Sequence, residues 1–373
     1  MKIALIGRDA DRVLAFRGSL VRAAQTAGHE VIAITAPASD DAIGQLAEAG
    51  VRWFAAPLDA GGMNPLADMR YARALHEILA SERVDAVLAY NPKCLAHAPI
   101  AARRAGIRHV VGMVTGLGHG FIGHGIRERL ARLAKARLYR RAFDACDRIL
   151  VQNDEDLVEL ERCGALRDTN RDRVRRIAGS GVDLERFSPE PLTAGLHFLM
   201  IARPIREKGV PEYFEAARQA HHQLPQATFA WMGPLEDPNP SSLGRATIEQ
   251  LLASGVVRHL PERLDVRPAL AACSVFVLPS HREGTSKVML EAMATGRAVI
   301  TTDAPGCGDA VGAVEFGAVV PVGNVRALAD AMVRLGSDPD RLAELGHRAR
   351  AAAETRFDAR AVNAEILEAL QLG

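Results

Sequence analysis

Short apolar runs alternate with stretches of helical periodicity along the whole chain, in two series separated by the proline-containing segment Ser188 to Gly195. In the first series the apolar runs predict strands at Lys2 to Ile6, Val31 to Thr35, Val51 to Phe54, Ala86 to Ala89, His109 to Met113, Arg148 to Val151 and Arg175 to Ile177. Helical spacing fills the gaps at Phe16 to Ala27, which Gly28 closes, and at Leu66 to Ser81, Leu95 to Ala105 and Ile126 to Cys146. The second series predicts strands at His197 to Ile201, Thr228 to Trp231, Val256 to His259, Ser274 to Leu278, Ala298 to Thr301 and Ala318 to Pro321. Alternation of this kind builds parallel sheets with helices on their faces, so the fold class is α/β in two domains, residues 1–187 and 188–356. Residues 357–373 form a further helix, and packing back on the first domain is one place for it.

Composition agrees with this plan and removes several classes. A chain of 373 residues, 48% hydrophobic and 24% charged, has the length of two ordinary globular domains. The cysteines Cys94, Cys146, Cys163, Cys273 and Cys307 are odd in number, scattered and free of any CxxC pair, which argues for a reduced interior and against a disulfide frame or zinc site. No apolar run reaches the ~18 residues of a membrane span. Arg8, Asp9 and Asp11 interrupt the N-terminal apolar run before signal-peptide length. The expected setting is therefore cytoplasmic, and the net charge of +1 selects no class of partner.

The densest chemistry lies at residues 279–293, PSHREGTSKVMLEAM, just after the apolar strand ending at Leu278. Glu283 and Glu291 stand eight apart across the entrance of a helix expected from Ser286 to Thr295, with Gly296 as its stop. Gly284 lets backbone approach a ligand, and Ser286 is placed to cap the helix so that its free N–H groups face an anion. Glu283 falls in the loop, at the sugar end of a sugar nucleotide, and Glu291 more than a turn into the helix, where a carboxylate can accept from both ribose hydroxyls. The spacing alone also fits two solvated glutamates on an amphipathic helix. Immediately after the strand ending at Ile201, Ala202 to Gly209 (ARPIREKG) places Arg203 and Lys208 at a strand mouth. A guanidinium and an ammonium there can neutralise a diphosphate leaving group without a metal.

Residues 179–187 (GSGVDLERF), 202–209 (ARPIREKG), 232–234 (MGP) and 279–312 resemble, in order and spacing, the glycosyltransferases of family four with the GT-B fold. The resemblance implies GT-B architecture, two Rossmann-like parallel-sheet domains facing an interdomain cleft, with an acceptor-binding first domain and a nucleotide-sugar-binding second one. It implies that Arg203 and Lys208 bind the donor diphosphate, Glu291 the ribose and Glu283 the transferred sugar, and that transfer from a nucleotide sugar, UDP-linked in most members, retains configuration without a bound metal or other cofactor. Phe16-Arg17-Gly18, Asn64-Pro65-Leu66 and Val114 to Phe121 (VTGLGHGF) are similar to a bacterial branch, N-acetylgalactosaminyltransferases among it, that extends polyprenyl-diphosphate-linked saccharides. The chain departs from the pattern at His119, where an aromatic residue is usual, at Ser180, and at Thr285-Ser286, where Leu-Pro is frequent. The expected catalytic set is Glu283, Arg203, Lys208 and His119. Expected substrate contacts are Glu291, Gly284, Thr285, Ser286, Lys287, Val288 and Gly233 in the second domain. In the first they are Gly7, Arg17, Gly18, Asn64, Thr115, Gly116 and Gly118.

Other motifs read as noise or as secondary features. Gly118, Gly120 and Gly123 spell GxGxxG, yet the unit is not an initial βαβ and no acidic strand end follows at the required distance, so a turn admitting substrate is the better reading than NAD binding. Asp9-x-Asp11, Asp154-x-Asp156 and Asp338-x-Asp340 match the metal-binding DxD pattern by chance, the latter two at expected helix caps. His97 and His119 lie near strand ends, where contact with an acceptor hydroxyl and a structural or solvated role fit equally well. From Ile126 to Arg141 seven basic residues, Arg127, Arg129, Arg132, Lys135, Arg137, Arg140 and Arg141, oppose only Glu128, which suits peripheral contact with an anionic inner membrane face although the charges ring the helix. With few aromatics and none in that cluster, nucleic-acid binding is not expected. A sugar-nucleotide epimerase of the same architecture and a silent subunit of a polysaccharide assembly complex are the rival readings.

Overall fold

The computed structural model describes residues 1–59, 64–117, 126–237, 239, 241–308, 312 and 315–371, with side chains of the helix Ile126–Asp144 from Arg132 onward. The chain divides into two compact units, Met1–Ser180 with the final helix Ala359–Ala369, and Gly181–Asp358. Five-residue apolar segments such as KIALI and AVLAY are buried on both faces, as strands of a parallel sheet sandwiched by helices must be.

In the first unit β1 (Lys2–Ile6), β2 (Glu30–Thr35), β3 (Arg52–Ala55), β4 (Ala86–Tyr90), β5 (His109–Val114), β6 (Arg148–Val151) and β7 (Val174–Arg176) form one sheet in the order β3-β2-β1-β4-β5-β6-β7. In the second, β8 (His197–Ile201), β9 (Thr228–Met232), β10 (Val257–Leu260), β11 (Val275–Leu278), β12 (Ala298–Thr302) and β13 (Gly317–Val320) run β10-β9-β8-β11-β12-β13. Every predicted strand is present, with ends shifted by no more than one residue. Both orders reverse direction next to the first strand of the sheet, at β1/β4 and at β8/β11. A crevice opens at the carboxyl ends of strands where the connections diverge in this way.

Short polar helices escaped the periodicity reading. Asp40–Glu48 and Asp154–Arg162 are nine-residue helices whose starts are fixed by caps: Ser39 accepts from the Ala42 amide and Asn153 from the Asp156 amide. The cap therefore precedes Asp154, which is the first helical residue. Asp338 does cap its helix, accepting from the Arg341 amide at 2.9 Å, and Asp9 pairs with the neighbouring Arg8.

The predicted linker, Ser188 to Gly195, is held on the second unit. Arg297 is fully buried and donates to the Leu270, Ala271 and Pro191 carbonyls at 2.9, 3.1 and 3.3 Å. Its guanidinium thus closes the end of the helix Arg267–Ala272 and ties down the predicted linker in one step. The division falls earlier, after Ser180, and again after Asp358. The final helix lies in the first unit because Val362, Ile366, Ala369 and Leu370 form a stripe that buries with Ile3, Leu5, Leu20 and Val21.

Candidate active site

The second unit gathers its charged candidates at the carboxyl ends of β8 and β11, the switch point of its sheet. Past β8 the chain turns through the short helix Arg206–Lys208 into Gly209, which is left-handed at φ 69° and begins the helix Val210–His221. A Cβ on Gly209 would lie 2.1 Å from the Pro279 carbonyl oxygen, so the two strand-end loops touch backbone to backbone. Gly209→Ala is therefore expected to cost about 1–2 kcal/mol in a urea titration, from the left-handed φ and the clash, and to part these loops. Gly233 serves similar packing: its missing Cβ would stand 2.3 Å from the Ala202 carbonyl, which also accepts the Trp231 indole N–H at 3.0 Å.

Contact between the loops brings Lys208 onto Glu283. Its Nζ lies 2.6 and 2.7 Å from the two carboxylate oxygens, a bidentate ion pair with side chains only 21% and 10% exposed. The Ser280 hydroxyl donates to the same Oε1 at 2.7 Å, and the Glu283 amide donates to the Pro305 carbonyl at 2.9 Å. Gly306, at φ 71°, fits beneath because a Cβ there would stand 2.2 Å from the Glu283 carbonyl oxygen. Arg203 lies 3.4 Å from Asp237, whose side chain is 6% exposed. The sequence reading assigned Lys208 to diphosphate and Glu283 to sugar separately; the structure couples them, and both cations face a carboxylate. Ser280 and Asp237 were not foreseen, since a lone serine and a lone aspartate in loops carry no spacing signal.

Glu291 sits on the fifth residue of the helix Lys287–Ala294, 8% exposed. Burial pushes its carboxyl up to about 7, against opposing pulls from Lys287 and Arg186 and a small further push from Asp265. Ser286 occupies the N-cap position, yet its hydroxyl makes no capping bond. Its carbonyl accepts from the Leu290 amide at 3.2 Å, so the helix starts where predicted without the side-chain cap. Gly284, Thr285, Lys287 and Val288 line this same strand-to-helix passage.

In the first unit, the candidates divide. Gly7 lies under the Tyr90 ring, since a Cβ there would approach its carbons to 2.6 Å. Arg17 is 3% exposed, stacks 4.9 Å from the Tyr90 ring centroid, and donates to the Ser180 hydroxyl and, at 3.0 Å, to the Met113 sulfur. Burial lowers its pKa, with Tyr90 opposing. Gly18 is buried beside it in the same helix, Val13–Thr26. Asn64 caps the helix Pro65–Ser81 by accepting from the Leu66 amide at 3.0 Å. Thr115 and Gly116, the latter at φ 108°, follow β5. Gly118 and His119, with the rest of the GxGxxG stretch, lie outside the described residues. His97 is 3.7 Å from Asp68, and burial lowers its pKa. The basic helix buries Ala136, Tyr139 and Phe143 and leaves Leu133 half exposed beside Arg137. Among the described residues no helix is long and apolar enough to cross a membrane.

Comparison with known proteins meets this geometry. Residues 195–338 match the model of the glycosyl transferases group 1, and residues 15–177 that of the glycosyl transferase 4-like domain. The N,N'-diacetylbacillosaminyl-diphospho-undecaprenol alpha-1,3-N-acetylgalactosaminyltransferase of Campylobacter jejuni is 26% identical over 352 residues, covering 91% of this chain and 90% of that protein. The UDP-Gal:alpha-D-GlcNAc-diphosphoundecaprenol alpha-1,3-galactosyltransferase of Escherichia coli is 27% identical over 77% of this chain and 76% of its own length. Among solved structures, sucrose-phosphate synthase from Thermosynechococcus elongatus superposes with a TM-score of 0.81 at 19% identity, covering 100% of this chain and 98% of that one. HepE of Anabaena, in complex with UDP and glucose, follows at 0.78 and 19%, covering 100% and 99%. With both halves matched in order and the two parallel sheets in place, the chain belongs to the group 1 glycosyltransferases, with a 4-like first domain and the GT-B fold.

Proposed function

We propose that the protein moves a hexose or N-acetylhexosamine from a nucleotide sugar, UDP-linked, to a lipid-linked saccharide in surface polysaccharide or glycan assembly, with retention of configuration. The observation that carries this reading is the Lys208–Glu283 pair at the β8/β11 switch point, with Arg203 just past the end of β8 and the buried Glu291 in the helix that follows β11. The names of the Campylobacter and Escherichia relatives support the acceptor class and, for the latter, the UDP donor.

The proposed steps follow from charge. A donor diphosphate entering beside Lys208 and Arg203 competes with Glu283 and Asp237 for the two cations. Glu283, drawn off Lys208, takes hydroxyls of the sugar, and Glu291 takes those of the ribose. As the glycosidic bond lengthens toward an oxocarbenium-like state, negative charge grows on the diphosphate, and the cations favour that state over the ground state. The leaving phosphate accepts the acceptor's proton on the face it departs, which yields retention. Arg203 and Lys208 supply the positive charge, so no metal is needed. The exposed Leu133 and the basic helix around it give the first unit a place to meet the membrane that holds the acceptor.

The test screens nucleotide sugars for thermal stabilisation and then measures nucleoside diphosphate released on addition of membrane-extracted lipid acceptor, with and without EDTA. Acceptor-dependent release that survives EDTA is the expected result. Conversion of the donor sugar without any acceptor would identify an epimerase instead, and no stabilisation by any nucleotide sugar would leave the assembly-subunit reading.

A further inference from the structure

Resting on that reading, we infer that His281 and Glu212 form a clasp that positions the Lys208–Glu283 pair for transfer. His281 stands two residues before Glu283, and Glu212 four residues after Lys208, in the first turn of the helix Val210–His221. The imidazole Nε2 lies 2.8 Å from Glu212 Oε1, and the His281 amide donates to the Glu207 carbonyl, also at 2.8 Å. One residue of the Glu283 loop therefore grips the Lys208 turn on both sides of the lysine. Further along, the Glu207 carboxylate accepts from the Ser241 hydroxyl at 2.9 Å, which braces that turn in its own right.

Charge makes the clasp more than a hydrogen bond. Among the described residues Glu212 Oε2 is buried and accepts no hydrogen bond, and His281 is the side chain that the carboxylate pairs with. A half-buried carboxylate with one buried, unbonded oxygen is costly unless a nearby cation compensates it. The charged groups acting on His281 are Glu212 and Glu207 from the Lys208 side, and Arg282 and Glu283 follow it along its own loop. The Glu212 bond raises the imidazole pKa, with burial opposing and the Glu212 and Glu207 charges adding to the rise. The protonated clasp is thus complete below that raised pKa and weakens as pH climbs through it. Since Lys208 and Glu283 meet at 2.6 Å only while the two loops stay in register, loosening the clasp misplaces both groups against the donor.

Two measurements separate this role from general stability and from the function itself. Steady-state transfer of sugar is followed from pH 6 to 9 for wild type, His281→Ala, Glu212→Ala and the double variant, alongside His281→Gln. Each alanine variant is expected to lose about 10–100-fold in kcat with a smaller change in KM for the nucleotide sugar. The double variant should fall no further than the singles. His281→Gln, which keeps a donor but carries no charge at any pH, should recover part of the rate at pH 7 and flatten the alkaline limb. Independently of activity, exchange of the Glu283 amide, bonded to Pro305 in the native loop, should quicken in His281→Ala and return toward wild type in His281→Gln. Wild-type turnover and wild-type exchange in His281→Ala would overturn the clasp, as would losses that multiply in the double variant. A wild type that transfers no sugar would instead overturn the proposed function, and the exchange measurement would still decide the clasp.

Discussion

Lys208→Ala is expected to lower the rate of sugar transfer roughly 10³-fold, the loss typical of removing one preorganised charge aimed at a developing anion. Two effects add here. The ammonium no longer meets the charge growing on the departing diphosphate, and Glu283 keeps its negative charge beside the place where that diphosphate must bind. The side chain of Glu283 is only 10% exposed, so water does little to screen the repulsion. The loss should therefore reach binding as well as turnover: thermal stabilisation by UDP should shrink in Lys208→Ala, whereas Glu283→Gln, which removes the competing carboxylate, should bind UDP at least as tightly as wild type while turning over slowly. Stopped-flow release of diphosphate and melting curves with UDP check both halves. Normal turnover in Lys208→Ala would remove the lysine from the chemistry, and weaker UDP binding in Glu283→Gln would show that the carboxylate supports the nucleotide rather than competing with it.

Legibility of this site from sequence followed the physics of each element. Strands such as Val275–Leu278 are continuous apolar runs bounded by polar turns, and their positions could be read to within a residue. Arg203, Lys208, Glu283 and Glu291 stood out as candidates because each follows a strand end or lies at the start of a helix at fixed spacing. Their mutual geometry was not. The Lys208–Glu283 pair joins residues 75 apart, and its closeness depends on strand order β8-β11 and on Gly209 lying against Pro279, neither of which has a local signature. The Ser286 cap failed for the opposite reason: the residue type was right, but the Ser286 hydroxyl takes no part in capping. In the first unit the FRG motif put Arg17 forward as a substrate contact, and its guanidinium is buried against Tyr90, Met113 and Ser180. A motif reports that a residue matters without saying whether it faces ligand or core.

Glu291→Gln should move stability and nucleotide affinity in opposite directions. In the folded protein burial raises this carboxyl to about 7, while in the unfolded chain it titrates near its ordinary value of 4.5. Between those two values the folded state holds a proton that the unfolded state has lost, so stability falls as pH rises through this window, by on the order of 3 kcal/mol in total, and levels off above it. Glutamine carries no charge at any pH. The variant should therefore match wild type near pH 5 and melt higher at pH 8. The binding effect runs the other way, because only the carboxylate can accept from both ribose hydroxyls, and its replacement should weaken UDP by roughly 10–100-fold. For wild type the affinity should also climb as pH passes 7 and then flatten, since UDP selects the ionised form; in the variant that climb should vanish. Melting curves from pH 5 to 8.5, with and without UDP, read every one of these signs. A variant that melts below wild type at pH 8 would mean that the folded protein already stabilises the Glu291 charge, and UDP affinity equal to wild type would take the ribose away from Glu291.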